Sequence, residues 1–221
     1  MRLRLAGYVR GFYAIAPTLA GLVVVALLYG GGVATAGEAY GVSGIVMFPV
    51  IAWQTKILLD AEPDVQRRLV RVSAGSAHRE IAAGLLAALT AAGPTVVLAL
   101  VLPWVFHGVK AGPSGLAAAL AIGVWAHALS AVAAVALGAW SSRVMSATAG
   151  IAVCVLAGGS VLAIVVGLGG PLRWLAPPLD AVAKATGQGL TASSVLALTV
   201  WALVWAAAVA GAYWRLRLRR V

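Results

Sequence analysis

Ser43, within Gly41-Val42-Ser43-Gly44, and His127 are the two residues whose types best suit joint chemistry, since a serine hydroxyl and an imidazole make a nucleophile and its general base when hydrogen-bonded. Their spacing reads against that use. Ser43 falls within a turn of the start of one apolar stretch. His127 falls twelve residues into another, about 18 Å down at 1.5 Å per residue. The two are therefore expected to lie at different depths. The acids Glu38, Asp60, Glu62, Asp64, Glu80 and Asp180 are scattered and assemble no cluster suited to a metal or to phosphate chemistry, apart from the trio at 60–64, which helix capping explains. Cys154 is the single cysteine, so no intrachain disulfide is expected. No Gly-x-x-x-x-Gly-Lys-Ser/Thr phosphate loop occurs. The chain is expected to be no enzyme and to bind no metal or cofactor itself.

The elements that carry these residues are long and apolar. Hydrophobic residues make up 62% of the 221, too many for an ordinary soluble domain. Six stretches are long enough to cross a bilayer, at 14–33, 41–59, 81–106, 115–140, 147–168 and 195–214, which leaves one all-α polytopic membrane domain over 1–221. Basic residues set its orientation. With the N-terminus inside, the cytoplasmic side holds Arg2, Arg4, Arg10, Lys56, Arg67, Arg68, Arg71, Arg79, Arg143, Arg215, Arg217, Arg219 and Arg220, thirteen of the sixteen. The outer side keeps Lys110, Arg173 and Lys184. Positive flanks resist translocation, so both termini are expected in the cytoplasm of a multi-pass plasma-membrane protein. The net charge of +10 then finds its counter-ions in anionic headgroups, and nucleic acid is not expected as a partner. The basic start, the first apolar stretch and Ala34-Thr35-Ala36 also fit a signal peptide. That stretch exceeds a typical signal core, so it is read as a retained span.

Two amphipathic segments lie outside the spans. Leu5, Val9 and Phe12 recur at i, i+4, i+7 with Arg2 and Arg10 beside them, the pattern of a short interfacial helix ahead of Pro17. Between spans two and three, Pro63 flanked by Glu62 and Asp64 predicts a helix start, and Val65, Leu69 and Val72 line one face while Arg67, Arg68 and Arg71 line another. Gly75 can end that helix in a left-handed conformation, and Ser76 can cap the next, with Glu80 in its first turn. Within the spans, Gln54, Trp125, His127 and Ser130 are the polar groups that could line a translocation path, since a buried polar group needs a partner or a wet cavity. Ala126, Ser130, Ala134 and Gly138 recur every fourth position, which permits close helix contact.

A basic amphipathic start, six spans, and the polar turn carrying Arg67-Arg68-Leu69, Gly75-Ser76 and Arg79-Glu80 together resemble the permease of an ATP-binding-cassette (ABC) exporter of the type-2 class. The importer class carries a Glu-Ala-Ala loop, whereas Glu80 here precedes Ile81. The resemblance covers essentially the whole chain. It implies a cytoplasmic coupling helix between spans two and three, with Asp64, Gln66, Arg67, Arg68 and Arg71 facing the ATPase. It further implies two ATPase subunits that carry the ATP and Mg²⁺, and a second permease chain, identical or homologous, in a bacterial plasma membrane. Cargo would be hydrophobic or amphiphilic: a drug, antibiotic, lipid or modified peptide. The family's outer connection before span six often forms short re-entrant helices; the prolines of 169–194 permit that or a plain loop. The Ser43/His127 pair resembles that of rhomboid intramembrane proteases, the alternative weakened by the expected depths. A non-energised scaffold or channel subunit is the third class.

Overall fold

The computed structural model describes residues 2–113 and 115–219, and all side chains among them except those of Arg2, Leu3, Asp64, Gln66, Arg68, Arg71 and Ala74. It is all-α apart from one two-residue pairing. The helices are α1 Arg2–Arg10, α2 Ile15–Tyr29, α3 Ala36–Asp60, α4 Asp64–Ala74, α5 Ala77–Val105, α6 Gly115–Trp140, α7 Ala149–Gly167, α8 Leu179–Gln188 and α9 Ala192–Arg219. Five of them, α3, α5, α6, α7 and α9, are long and apolar enough to cross a membrane, and the count is six if α1 and α2, bent by 73°, form one span.

Helix ends follow local chemistry. The helix of the first expected span stops at Tyr29, ahead of Gly30-Gly31-Gly32, and is shorter than 14–33 because three consecutive glycines favour the flexible chain. The second begins at Ala36 and not at 41, because Glu38 Oε2 accepts from both the Thr35 backbone N–H and the Thr35 hydroxyl and so closes the first turn. A two-residue parallel ladder, Ala34 with Val109 and Thr35 with Lys110, joins the connection after α2 to the one after α5. Gly75, at φ +72°, turns the chain between α4 and α5, and Ser76 Oγ accepts from the Arg79 N–H to cap α5. In α1 the face turned to the protein is not wholly apolar. Arg4 and Tyr8, one turn apart, face the protein, whereas Val9 is exposed and Phe12 lies beyond the helix end at φ +58°.

The core is the α3–α6 pair. In the most apolar window of each helix, 61% of α3 and 56% of α6 is buried, against 11% for α7 and for α9. Small residues bring the pair together. Ala126, Ser130, Ala134 and Gly138 of α6 are all buried, and a Cβ on Gly138 would strike Ala52 O and the Thr55 side chain of α3. Helix α8 lies across the start of α3 at Gly37 and Gly41, where a Cβ would collide with the Thr186 carbonyl and the Ala183 backbone. The 169–194 connection is thus helical, with a 3-10 turn at Arg173–Leu175 followed by α8. Most of the remaining apolar surface is exposed, Leu162 at 63% and Leu203 at 50% among it, an arrangement compatible with a membrane-embedded protein.

Candidate functional site

Four ionised side chains meet at the foot of α4, none of which the sequence singled out for chemistry. Glu80, in the first turn of α5, is fully buried. Arg217 of α9 donates from Nη2 to both of its carboxylate oxygens at 2.8 Å, and from Nη1 to the Tyr213 hydroxyl at 2.7 Å. Arg4 of α1 reaches the same carboxylate through Nη2 and donates from Nε to Glu62 Oε2 at 2.8 Å. Two guanidinium and two carboxylate groups cancel in charge, as burial demands. Gly84, one turn beyond Glu80, makes room, since a Cβ there would strike Arg4 Nη1.

A second node flanks the first. Asp60, the last residue of α3, pairs with Lys56 at 2.7 Å and accepts from the Arg143 backbone N–H at 2.7 Å, while the Arg143 guanidinium reaches the Asp60 carbonyl. The end of α3 is thereby tied to the α6–α7 connection. Both roots of α4 are consequently held. Glu62 and Asp60 anchor the α3 side and Glu80 the α5 side, through residues of α1, α9 and the turn before α7. Trp214 of α9 adds a hydrogen bond from Nε1 to His78 Nδ1 at 2.9 Å.

Helix α4 projects from these roots with its apolar face outward. Val65 is 73% exposed, Leu69 65% and Val72 81%, so among the described residues the stripe predicted by spacing is largely uncovered. Among the proposed coupling residues, Arg67 turns back, donating from Nη2 to the Leu59 and Glu62 carbonyls at 3.1 and 3.3 Å and closing the end of α3. The side chains of Asp64, Gln66, Arg68 and Arg71 lie outside the described residues.

The four candidate path residues each join two helices. Gln54 of α3 donates to the Ala91 carbonyl at 2.7 Å and accepts from the Thr95 hydroxyl of α5 at 2.8 Å. Trp125 of α6 donates to Thr199 of α9 at 2.9 Å. Ser130 of α6 donates to the Gly44 carbonyl of α3 at 2.6 Å and borders a small cavity between α3, α6, α8 and α9, with room for about one water molecule.

His127 corrects the depth argument. Its Nε2 lies 2.9 Å from Ser43 Oγ, and both side chains are fully buried. The earlier start of α3, by five residues, carries Ser43 about 7.5 Å deeper at 1.5 Å per residue, and the small residues of α6 let the helices approach closely. The Gly123 carbonyl, 2.8 Å from Nδ1, can only accept, so Nδ1 carries the ring proton and Nε2 accepts from the Ser43 hydroxyl. A nucleophile and its base would share such a hydrogen bond; here it is enclosed within a helix interface.

No protein-family model matches the chain, and neither a curated protein nor a solved structure is found to be similar to it. Among the described residues, no group of three or more His, Cys, Asp or Glu is placed to hold a metal ion.

Proposed function

We propose that the chain is the membrane-spanning permease subunit of an ATP-driven exporter of the ABC type-2 class, with six spans, both termini cytoplasmic, and α1 lying in the interface. The observation that carries this reading is α4. It is a short helix with its apolar stripe exposed at Val65, Leu69 and Val72, while buried ion pairs hold both of its roots to distant helices. An exposed apolar stripe rooted in charge pairs suits a surface that receives a partner and passes its movement on. The order of elements also fits the resemblance once the bent α1–α2 pair is taken together as interfacial arm and first span: after it come one span, a projecting helix, three spans, a helical outer connection and a last span.

In this reading two ATPase subunits carry ATP and Mg²⁺, and a second permease chain, identical or homologous, completes the membrane domain in a bacterial plasma membrane. Closure of the ATPase pair pushes α4. The push enters α1 and α9 through Arg4, Glu80 and Arg217, and the α6–α7 turn through Asp60 and Arg143. The cargo is a hydrophobic or amphiphilic molecule. Purification of the tagged chain from its native membrane tests the proposal. An accompanying polypeptide with a phosphate loop and Mg²⁺-dependent ATP hydrolysis supports it; a chain that purifies alone with no such activity points to the scaffold or channel class.

A second reading is favoured by one observation, the 2.9 Å Ser43–His127 contact, which suits an intramembrane serine protease of rhomboid type. It requires access to Ser43, whose side chain is enclosed. Covalent labelling of Ser43 by a fluorophosphonate would favour the protease over the permease.

A further inference from the structure

Helices α7 and α9 flank an open groove of about 950 Å³ whose floor is α6, and its lining is almost wholly apolar. Along α7 it runs from Gly150 to Leu162, about 18 Å at 1.5 Å per residue, which is close to the roughly 15 Å of one leaflet's hydrocarbon. Trp140 and Ala212 lie at the end nearer the arginines of α9, and Trp205 lies farther in. A second hollow, of about 490 Å³, continues along α9 and shares Ala208 and Ala212 with the first. Its lining includes Arg215 and Arg219. Ala208, Ala212, Arg215 and Arg219 stand at i, i+4, i+7 and i+11, one stripe of the helix. Among the described residues no acid pairs with either arginine, and both are exposed.

We infer that this trough is a binding site for an anionic two-chain phospholipid of the leaflet at the arginine-bearing ends. Shape argues for the chains: the groove is open along its length, almost wholly apolar and about one leaflet deep, as acyl chains require. Charge argues for the headgroup, because guanidinium forks match phosphate oxygens in pairs. Length argues against a partner helix, which would need a groove through the full bilayer and not one leaflet. The site rests on the membrane reading and is independent of the ATPase, so its failure leaves the permease proposal standing.

The full chain is reconstituted in bilayers of phosphatidylcholine with photoactivatable phosphatidylglycerol bearing its reactive group on the acyl chain. Adducts are expected on α7 and α9 within 150–162 and 205–212, competed by unlabelled phosphatidylglycerol and about tenfold less by phosphatidylcholine. Arg215→Gln with Arg219→Gln should abolish that preference while leaving adducts. Gly158→Trp should abolish the adducts themselves, because Gly158 lines the groove and a Cβ there meets nothing within 4 Å, so the bulky ring enters the groove and not the core. Adducts spread evenly over all lipid-facing helices, or no headgroup preference in the unaltered chain, would overturn the site. So would efficient Cys154–Cys154 cross-linking in the membrane, since Cys154 is the single cysteine and lines the groove, and a second copy would then occupy it.

Discussion

Glu80 and Arg217, 137 positions apart, form a bidentate ion pair at 2.8 Å in which neither side chain is more than 3% exposed. The pair ties the start of α5 to the end of α9, beside the root of α4. Removing one member of a buried pair strands the other charge, which costs about 3–5 kcal/mol. Glu80→Ala, which leaves Arg4 and Arg217 facing each other, is expected to lower the detergent melting temperature by several degrees, read by fluorescence-detected gel filtration. Arg217→Met in the same background should recover part of that loss. Independent, additive losses would mean that the two residues do not act together.

A side chain at Gly84 is expected to push the Arg4 guanidinium off Glu80 and Glu62, because its Cβ would meet Arg4 Nη1. Gly84→Val should release α1 from the bundle, read as faster amide exchange across residues 2–10. Gly93, whose Cβ would meet nothing within 4 Å, is the control, and Gly93→Ala should leave exchange there unchanged.

Gly41→Leu should dislodge α8, since the leucine would occupy the position of the Ala183 backbone and the Thr186 hydroxyl. Protease cleavage within 179–188 is the readout. Cleavage as slow as in the unaltered protein would show that α8 is held elsewhere.

The Ser43–His127 hydrogen bond is expected to act as a tie between α3 and α6. Ser43→Ala leaves Nε2 without its donor in a buried interface, a loss of about 1–3 kcal/mol. The measurement is thermal stability together with fluorophosphonate labelling of the unaltered chain, which should be absent.

Much of this architecture was legible from local signals. Pro63 with its flanking acids, the left-handed Gly75 and the Ser76 cap each stand where their chemistry places them, because such signals act within one turn of the chain. An apolar boundary at 41 puts the start of α3 five residues late and Ser43 too shallow. Thr35-x-x-Glu38, a capping box, marks the true start and was available in the sequence. The ion hub was missed for a different reason. Arg4 and Arg217 read locally as topogenic flanks and Glu62 and Glu80 as acids at helix starts, and local roles of that kind carry no information about which distant charges meet. A charge balance would have pointed toward it, since a carboxylate just inside a long apolar helix needs a cation whose position only the packing decides.

The central claim, that α4 docks on an ATPase, is tested most directly by placing a photocrosslinking amino acid at Leu69, which is 65% exposed, in the full chain in its native membrane. The account predicts one covalent adduct with an ATP-hydrolysing polypeptide, and none with it when the same group stands at Val204 of α9, which is 63% exposed. Adducts at Leu69 only with lipid or with a second copy of this chain would contradict it.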